Sequence, residues 1–122
     1  MDIKPGFAQL VADAKTRIQE CSVEELAGLQ AASTPVVVDV REPAEFAAGH
    51  VPGAHSMPRG VVELKLPELT ADPRALVVLY CGSGGRSALA ADSLQRMGYE
   101  HVLSLAGGFQ AWGAAGKDIS LD

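Results

Sequence analysis

Apolar residues follow two rhythms along this chain. Between Phe7 and Ile18 they recur at helical spacing, as Phe7, Leu10, Val11, Ala14 and Ile18. Gln9, Asp13, Lys15 and Arg17 fall on the opposite face, which predicts an amphipathic helix. Ser22-Val23-Glu24-Glu25 has the form of a capping box, and Leu26 and Leu29 open an apolar stripe behind it, so a second helix is expected at about 23–31. The other rhythm is short, continuous and β-branched. Val36-Val37-Val38, ending at Asp39-Val40, and Leu76-Val77-Val78-Leu79-Tyr80 read as strands buried on both faces, as a parallel sheet requires.

The remaining segments punctuate this pattern. Pro43 suits the first turn of a short helix through Phe46, Gly49 is placed to end it, and Val51-Pro52-Gly53-Ala54 reads as a turn into a further extended segment. Pro58 and Gly60 interrupt the chain beyond that segment. Ser87 to Met97, apolar at Ala90, Leu94 and Met97 and stopped by Gly98, is the clearest helix. Val102 to Leu105 supplies another strand, and Gly107-Gly108 a turn into a short last helix over Phe109 to Trp112. Strands alternating with helices predict an α/β domain with a mostly parallel sheet.

With 122 residues the chain supports one sizeable core, and 48% hydrophobic residues with 20% charged residues exclude disorder. A net charge of -5, with the ten Lys and Arg scattered, opposes a nucleic-acid partner. No apolar run approaches the roughly 20 residues of a bilayer span, and Met1-Asp2-Ile3-Lys4-Pro5 lacks the pattern of a signal peptide. The expected compartment is the cytoplasm, with no membrane partner. Two cysteines, Cys21 and Cys81, make no disulfide framework, and His50, His55 and His101 lack metal-ligand spacing, so neither metal nor cofactor is expected.

Candidate chemistry lies in Cys81-Gly82-Ser83-Gly84-Gly85-Arg86-Ser87, between the clearest strand and the clearest helix. In a parallel sheet the ligand site lies beyond the carboxyl ends of the strands. Glycines let successive N–H groups turn inward, making an anion-binding nest at the N-terminus of a helix expected to start near Arg86. A thiolate there has its pKa lowered from about 8.5 toward roughly 3.5 to 7.5, which makes Cys81 a candidate nucleophile. Arg86 adds a planar fork of donors at the rim, and the Ser87 hydroxyl can donate to the sulfur or cap the helix. His50 and His55 read as structural, and Cys21 as inert or a surface thiol.

From about Ser22 to Gly116 the sequence resembles the rhodanese family of single-domain thiosulfate sulfurtransferases. Val38-Asp39-Val40-Arg41-Glu42-Pro43, Glu45-Phe46 and Gly49-His50-Val51-Pro52-Gly53-Ala54 look like its first signature, and Gly107-Gly108-Phe109 with Ala111-Trp112 like its last. The loop matches its Cys-x4-Arg-Ser form. The resemblance implies a three-layer α/β fold with a five-stranded sheet and helices on both sides. It makes Cys81 the persulfide-forming residue, with Gly82, Ser83, Gly84, Gly85, Arg86 and Ser87 as substrate cradle, and Asp39 and Arg41 as a supporting charge network. The first loop position, often arginine in active members, is Gly82 here. The expected partners are a sulfur donor, thiosulfate or a persulfide, and a cyanide, thiol or protein acceptor. Residues 22–122 would form the domain and 1–21 a helical extension that packs on it or serves association.

Two other readings compete. A cysteine-dependent phosphatase or arsenate reductase uses a related Cys-x5-Arg cradle, whereas four residues separate Cys81 from Arg86, and no general acid is evident. A rhodanese-like module could also act as a sulfur carrier or interaction module without turnover of its own.

Overall fold

The computed structural model describes residues 6–122; the start read above for a leader, Met1 to Pro5, lies outside the described residues. The elements run α1 (Phe7–Lys15), β1 (Gln19–Cys21), α2 (Val23–Ala32), β2 (Val36–Asp39), α3 (Pro43–Ala47), β3 (His55–Ser56), α4 (Val62–Leu69), β4 (Leu76–Tyr80), α5 (Gly85–Arg96), β5 (His101–Leu105) and α6 (Gly108–Ala114). One five-stranded sheet has the order β1-β5-β4-β2-β3, with every pair parallel. The expected α/β architecture is therefore the observed one.

The strands' period of two divides the core into two layers. Val38, Val40, Val77, Leu79 and Val102 meet Val62 and Leu66 of α4 and Ala90, Ala91 and Leu94 of α5. Val37, Val78, Tyr80 and Leu105 face the other way, onto Val23 and Leu26 of α2 and Trp112 of α6. Both faces of the central strands are apolar because both are covered, which is why these strands read as unbroken hydrophobic runs.

Three elements differ from the reading of the sequence. α1 ends at Lys15 rather than Ile18: the Thr16 hydroxyl donates to the Asp13 carbonyl at 2.6 Å, and Arg17 turns away to clasp Asp92 at 3.0 and 2.8 Å. β1 pairs Gln19 with Leu103 and Cys21 with Leu105, so the sheet recruits its edge strand from the stretch set apart as an extension. Two of its three residues are exposed and polar, leaving no apolar run to mark it. α4 forms immediately after the break at Pro58 and Gly60, with Pro67 inside it, because Val62 and Leu66 bury one face four residues apart.

α1 lies against α5, outside the sheet. A Cβ built on Gly85 would come within 2.7 Å of the Phe7 ring, so the helix rests on the first residue of α5. Phe7 and Leu10 nevertheless keep more than half their surface in solvent.

Candidate active site

β4 delivers Cys81 to the carboxyl edge of the sheet, where the chain turns through Gly82, Ser83 and Gly84 into α5. Gly84 is the N-cap of that helix and has a φ of 106°, a conformation a side chain would strain. The turn aims its N–H at the cysteine: Sγ accepts from Gly84 N at 3.1 Å and from Ser87 N at 3.4 Å. The Ser87 hydroxyl lies 3.6 Å from Sγ and 2.8 Å from the hydroxyl of Ser104 on β5. When Ser87 donates to the sulfur, its own oxygen is left to accept, and Ser104 supplies that proton. Ser104 is fully buried and escaped the reading of the sequence, since its contact with Ser87 exists only after β5 pairs with β4.

Cys81 is 1% exposed. Burial alone would push its thiol pKa up. The Ser87 N–H, the Ser87 hydroxyl and the N–H groups of Gly84 and Ser83 outweigh that cost, and the thiol is held below its ordinary value. The 12-residue helix behind these groups adds its positive end. The helix begins at Gly85, one residue before the expected start, and the cap is Gly84 rather than Ser87.

The loop's outer side is pinned by α6. The N–H groups of Phe109 and Gln110, in the first turn of that helix, donate to the carbonyls of Cys81 at 2.7 Å and Gly82 at 3.0 Å. Four otherwise unpaired groups are thereby satisfied, two helix-terminal donors and two loop acceptors. Gly108 sits between them with a φ of 57°; a Cβ there would run into the Cys81 carbonyl oxygen and lie 2.7 Å from the carbonyl carbon and oxygen of Gly82.

Arg86 does not stand free at the rim. Its Nη1 and Nη2 reach the two carboxylate oxygens of Glu45 on α3, at 2.9 and 3.3 Å. The guanidinium lies beside Gly82, 3.3 Å from where a Cβ would be. Glu45 also accepts from the N–H of Glu42, closing a capping box, and its hydrogen bonds, first to Arg86 and then to Glu42, hold its pKa at about 2. Glu45 was visible in the sequence as part of a signature; its partner, 41 residues away, was not.

Asp39 and Arg41 form a buried pair. Arg41 Nη2 donates to Asp39 Oδ2 at 2.8 Å and to the Gly49 carbonyl at 2.7 Å, and Asp39 Oδ1 accepts from the Arg41 N–H at 2.9 Å. The guanidinium lies 4.3 Å from the centre of the Phe109 ring. The pair therefore braces the residue whose N–H holds the Cys81 carbonyl, without reaching the sulfur itself.

Of the remaining histidines and cysteines, His50 is buried, stacked on Phe46 at 3.7 Å with Nδ1 2.9 Å from the Phe46 carbonyl, and His55 is exposed on β3. Cys21 is not a surface thiol: it is 3% exposed beneath α2 and α6, and burial, reinforced by Glu25, pushes its pKa up to about 11. Its place at the sheet's edge strand explains the correction, because that strand was not visible in the sequence. Among the described residues, no helix is long and apolar enough to cross a membrane.

Comparison with known proteins agrees with this architecture. The chain is 40% identical over 84 residues to a sulfurtransferase of Allochromatium vinosum, covering 69% of this chain and 77% of that protein. It is 35% identical over 80 residues to the thiosulfate sulfurtransferase GlpE of Pseudoalteromonas translucida, covering 66% and 74%. Among solved structures, a Rhodopseudomonas palustris protein of unknown function, described as a possible tyrosine phosphatase, superposes with a TM-score of 0.86 at 34% identity over 98% of each chain. A thiosulfate sulfurtransferase from Pseudomonas aeruginosa superposes with a TM-score of 0.83 at 30% identity, covering 93% of this chain and 22% of that one. Residues 22–115 match the family described as the rhodanese-like domain, and the chain belongs to that family.

Proposed function

We propose that the protein is a sulfurtransferase that carries a sulfane sulfur as a persulfide on Cys81, taking it from thiosulfate or a persulfide and passing it to cyanide, a thiol or a protein acceptor. The observation that carries this reading is the ring of donors around one sulfur atom: Gly84 N, Ser87 N and the Ser87 hydroxyl all address Sγ. These groups favour negative charge on the sulfur they surround.

In the first half-reaction the Cys81 thiolate attacks the outer sulfur of the donor. A new S–S bond forms, the donor's S–S bond breaks, and sulfite or a thiolate leaves with the electron pair. The enzyme persulfide carries the same single charge as the thiolate it replaces, so the dipoles that favour the thiolate also favour the persulfide anion. In the second half-reaction a nucleophile attacks the outer sulfur and Cys81 departs as thiolate. Because the donors around Sγ favour the thiolate, the attack calls for no general base, consistent with the engagement of His50 elsewhere.

The spacing supports sulfur rather than phosphoryl chemistry. Four residues separate Cys81 from Arg86, the N–H groups converge on the sulfur itself, and the guanidinium that would clasp a phosphoryl group is held by Glu45. The test is to treat the reduced protein and its Cys81→Ser variant with thiosulfate and with an alkyl persulfide, record intact masses, then add cyanide and measure thiocyanate. One sulfur gained by the wild type alone, and released as thiocyanate, is the expected result. No sulfur from either donor, with hydrolysis of an aryl phosphate by the wild type, would overturn the proposal in favour of a phosphatase.

A further inference from the structure

The pairing of Arg86 bears on which donor the site accepts. From Cys81 to Ser87 the loop contains one charged side chain, Arg86. Both of its terminal nitrogens face Glu45. Glu45 is fixed from its own side, because its Oε1 also accepts from Glu42 N at 2.9 Å within the capping box of α3. The nearby Arg41 is matched in the same way by Asp39 and is buried, so it brings no free charge to the mouth. With Cys81 as thiolate, the group of Cys81, Arg86 and Glu45 carries one net negative charge. The main-chain donors around Sγ are dipoles and do not alter that sum.

Thiosulfate arrives as a dianion and must bring its charged sulfonate close to this negative mouth, whereas an alkyl persulfide brings one charge at most. In either case charge is conserved through the transfer: thiolate plus thiosulfate gives enzyme persulfide plus sulfite, and thiolate plus persulfide anion gives enzyme persulfide plus alkyl thiolate. The two donors therefore differ in the repulsion met on approach, not in the bond chemistry at Cys81. We infer that Glu45 sets the donor class of this site: by occupying Arg86 it disfavours dianionic sulfane donors and leaves low-charge alkyl persulfides as the preferred sulfur source. This rests on the reading of Cys81 as the sulfur carrier. Glu45 acts through Arg86 and is a positioning residue.

The experiment compares wild type with Glu45→Gln, which keeps the side chain's length and an acceptor for Glu42 N. kcat/KM is measured for thiosulfate and for a synthetic alkyl persulfide, with cyanide as acceptor for both, at low and high ionic strength. One elementary charge acting on a dianion a few ångströms away, through a partly aqueous mouth, is worth roughly tenfold in rate at low salt. The Gln variant should gain about that factor on thiosulfate and less than about threefold on the persulfide, and salt should shrink the gain. Glu45→Asp should keep a donor ratio close to that of the wild type. If α3 does not tolerate Gln, Glu45→Ala carries the same expectation. A variant that transfers sulfur with the wild-type donor ratio, or loses thiosulfate turnover, overturns the inference and leaves Cys81 as carrier intact. A wild type that takes sulfur from neither donor brings down both.

Discussion

Replacing Gly108 by Ala tests whether the reactive loop is held from outside by α6. The added methyl meets two obstacles. The φ of 57° costs an alanine about 1–2 kcal/mol relative to glycine. The methyl also enters the space of the Cys81 and Gly82 carbonyls, so α6 must back away and weaken the bonds from Phe109 N and Gln110 N, each worth about 1 kcal/mol. The expected loss is about 3–4 kcal/mol, a large share of the stability of an ordinary small domain. Urea unfolding followed through Trp112, which sits on α6 with its indole N–H on the Asp118 carbonyl, reads this loss as a shift in midpoint. Gly28→Ala is the control: it lies in α2 with nothing within 4 Å of the added Cβ, and should gain up to about 1 kcal/mol. Release of the Cys81 carbonyl should also disturb the ring around Sγ and slow thiolate alkylation at pH 7. A Gly108→Ala protein within about 1 kcal/mol of wild type, with unchanged alkylation, would refute the argument that α6 pins the loop.

The site and its supports lead to five further expected outcomes. The rate of Cys81 alkylation by a neutral reagent should fall as pH drops through a midpoint below the ordinary thiol value of about 8.5. Ser104→Ala should move that midpoint upward by removing the donor behind Ser87, while Ser104→Thr should keep it low. Because the folded pKa lies below the unfolded one, the stability contributed by Cys81 is present above about pH 8.5 and lost as pH falls through the folded value, which pH-dependent urea midpoints check. Both thiols are buried, so their opposite pKa shifts decide which reacts: native protein at pH 8 should take up one alkyl group, on Cys81, with Cys21 labelled only after unfolding, as peptide mass mapping would show. Asp39→Asn should cost about 3–5 kcal/mol by leaving the Arg41 charge buried without its partner, measured by chemical denaturation.

What could be read in the sequence was whatever is written locally. The β-branched runs of β2 and β4 and the capping box of Ser22 and Glu25 each specify themselves within a few residues, and the structure has them where they were expected. The loop was equally open to inspection, since a cysteine among glycines between a strand and a helix allows few geometries. The missing pieces depend on distant partners. β1 becomes a strand only because β5 offers it an edge, and its exposed Gln19 and Glu20 betray nothing. Glu45 and Ser104 touch the site through contacts spanning 41 and 17 residues, made by tertiary packing alone. Cys21 read as either inert or a surface thiol because the strand that buries it, and decides between the two, was not visible.

The strand order has a consequence for the chain as it is made. β1 emerges from the ribosome before any other strand of the described residues, yet its partner is β5, so Gln19 cannot find Leu103 until nearly the whole sheet has been synthesised. Pairing across such a separation closes late and slowly. Until then Cys21, inert once folded, is an open thiol on a nascent chain. The burial that holds the Cys21 thiol up in the finished fold is thus among the last protections the growing chain acquires.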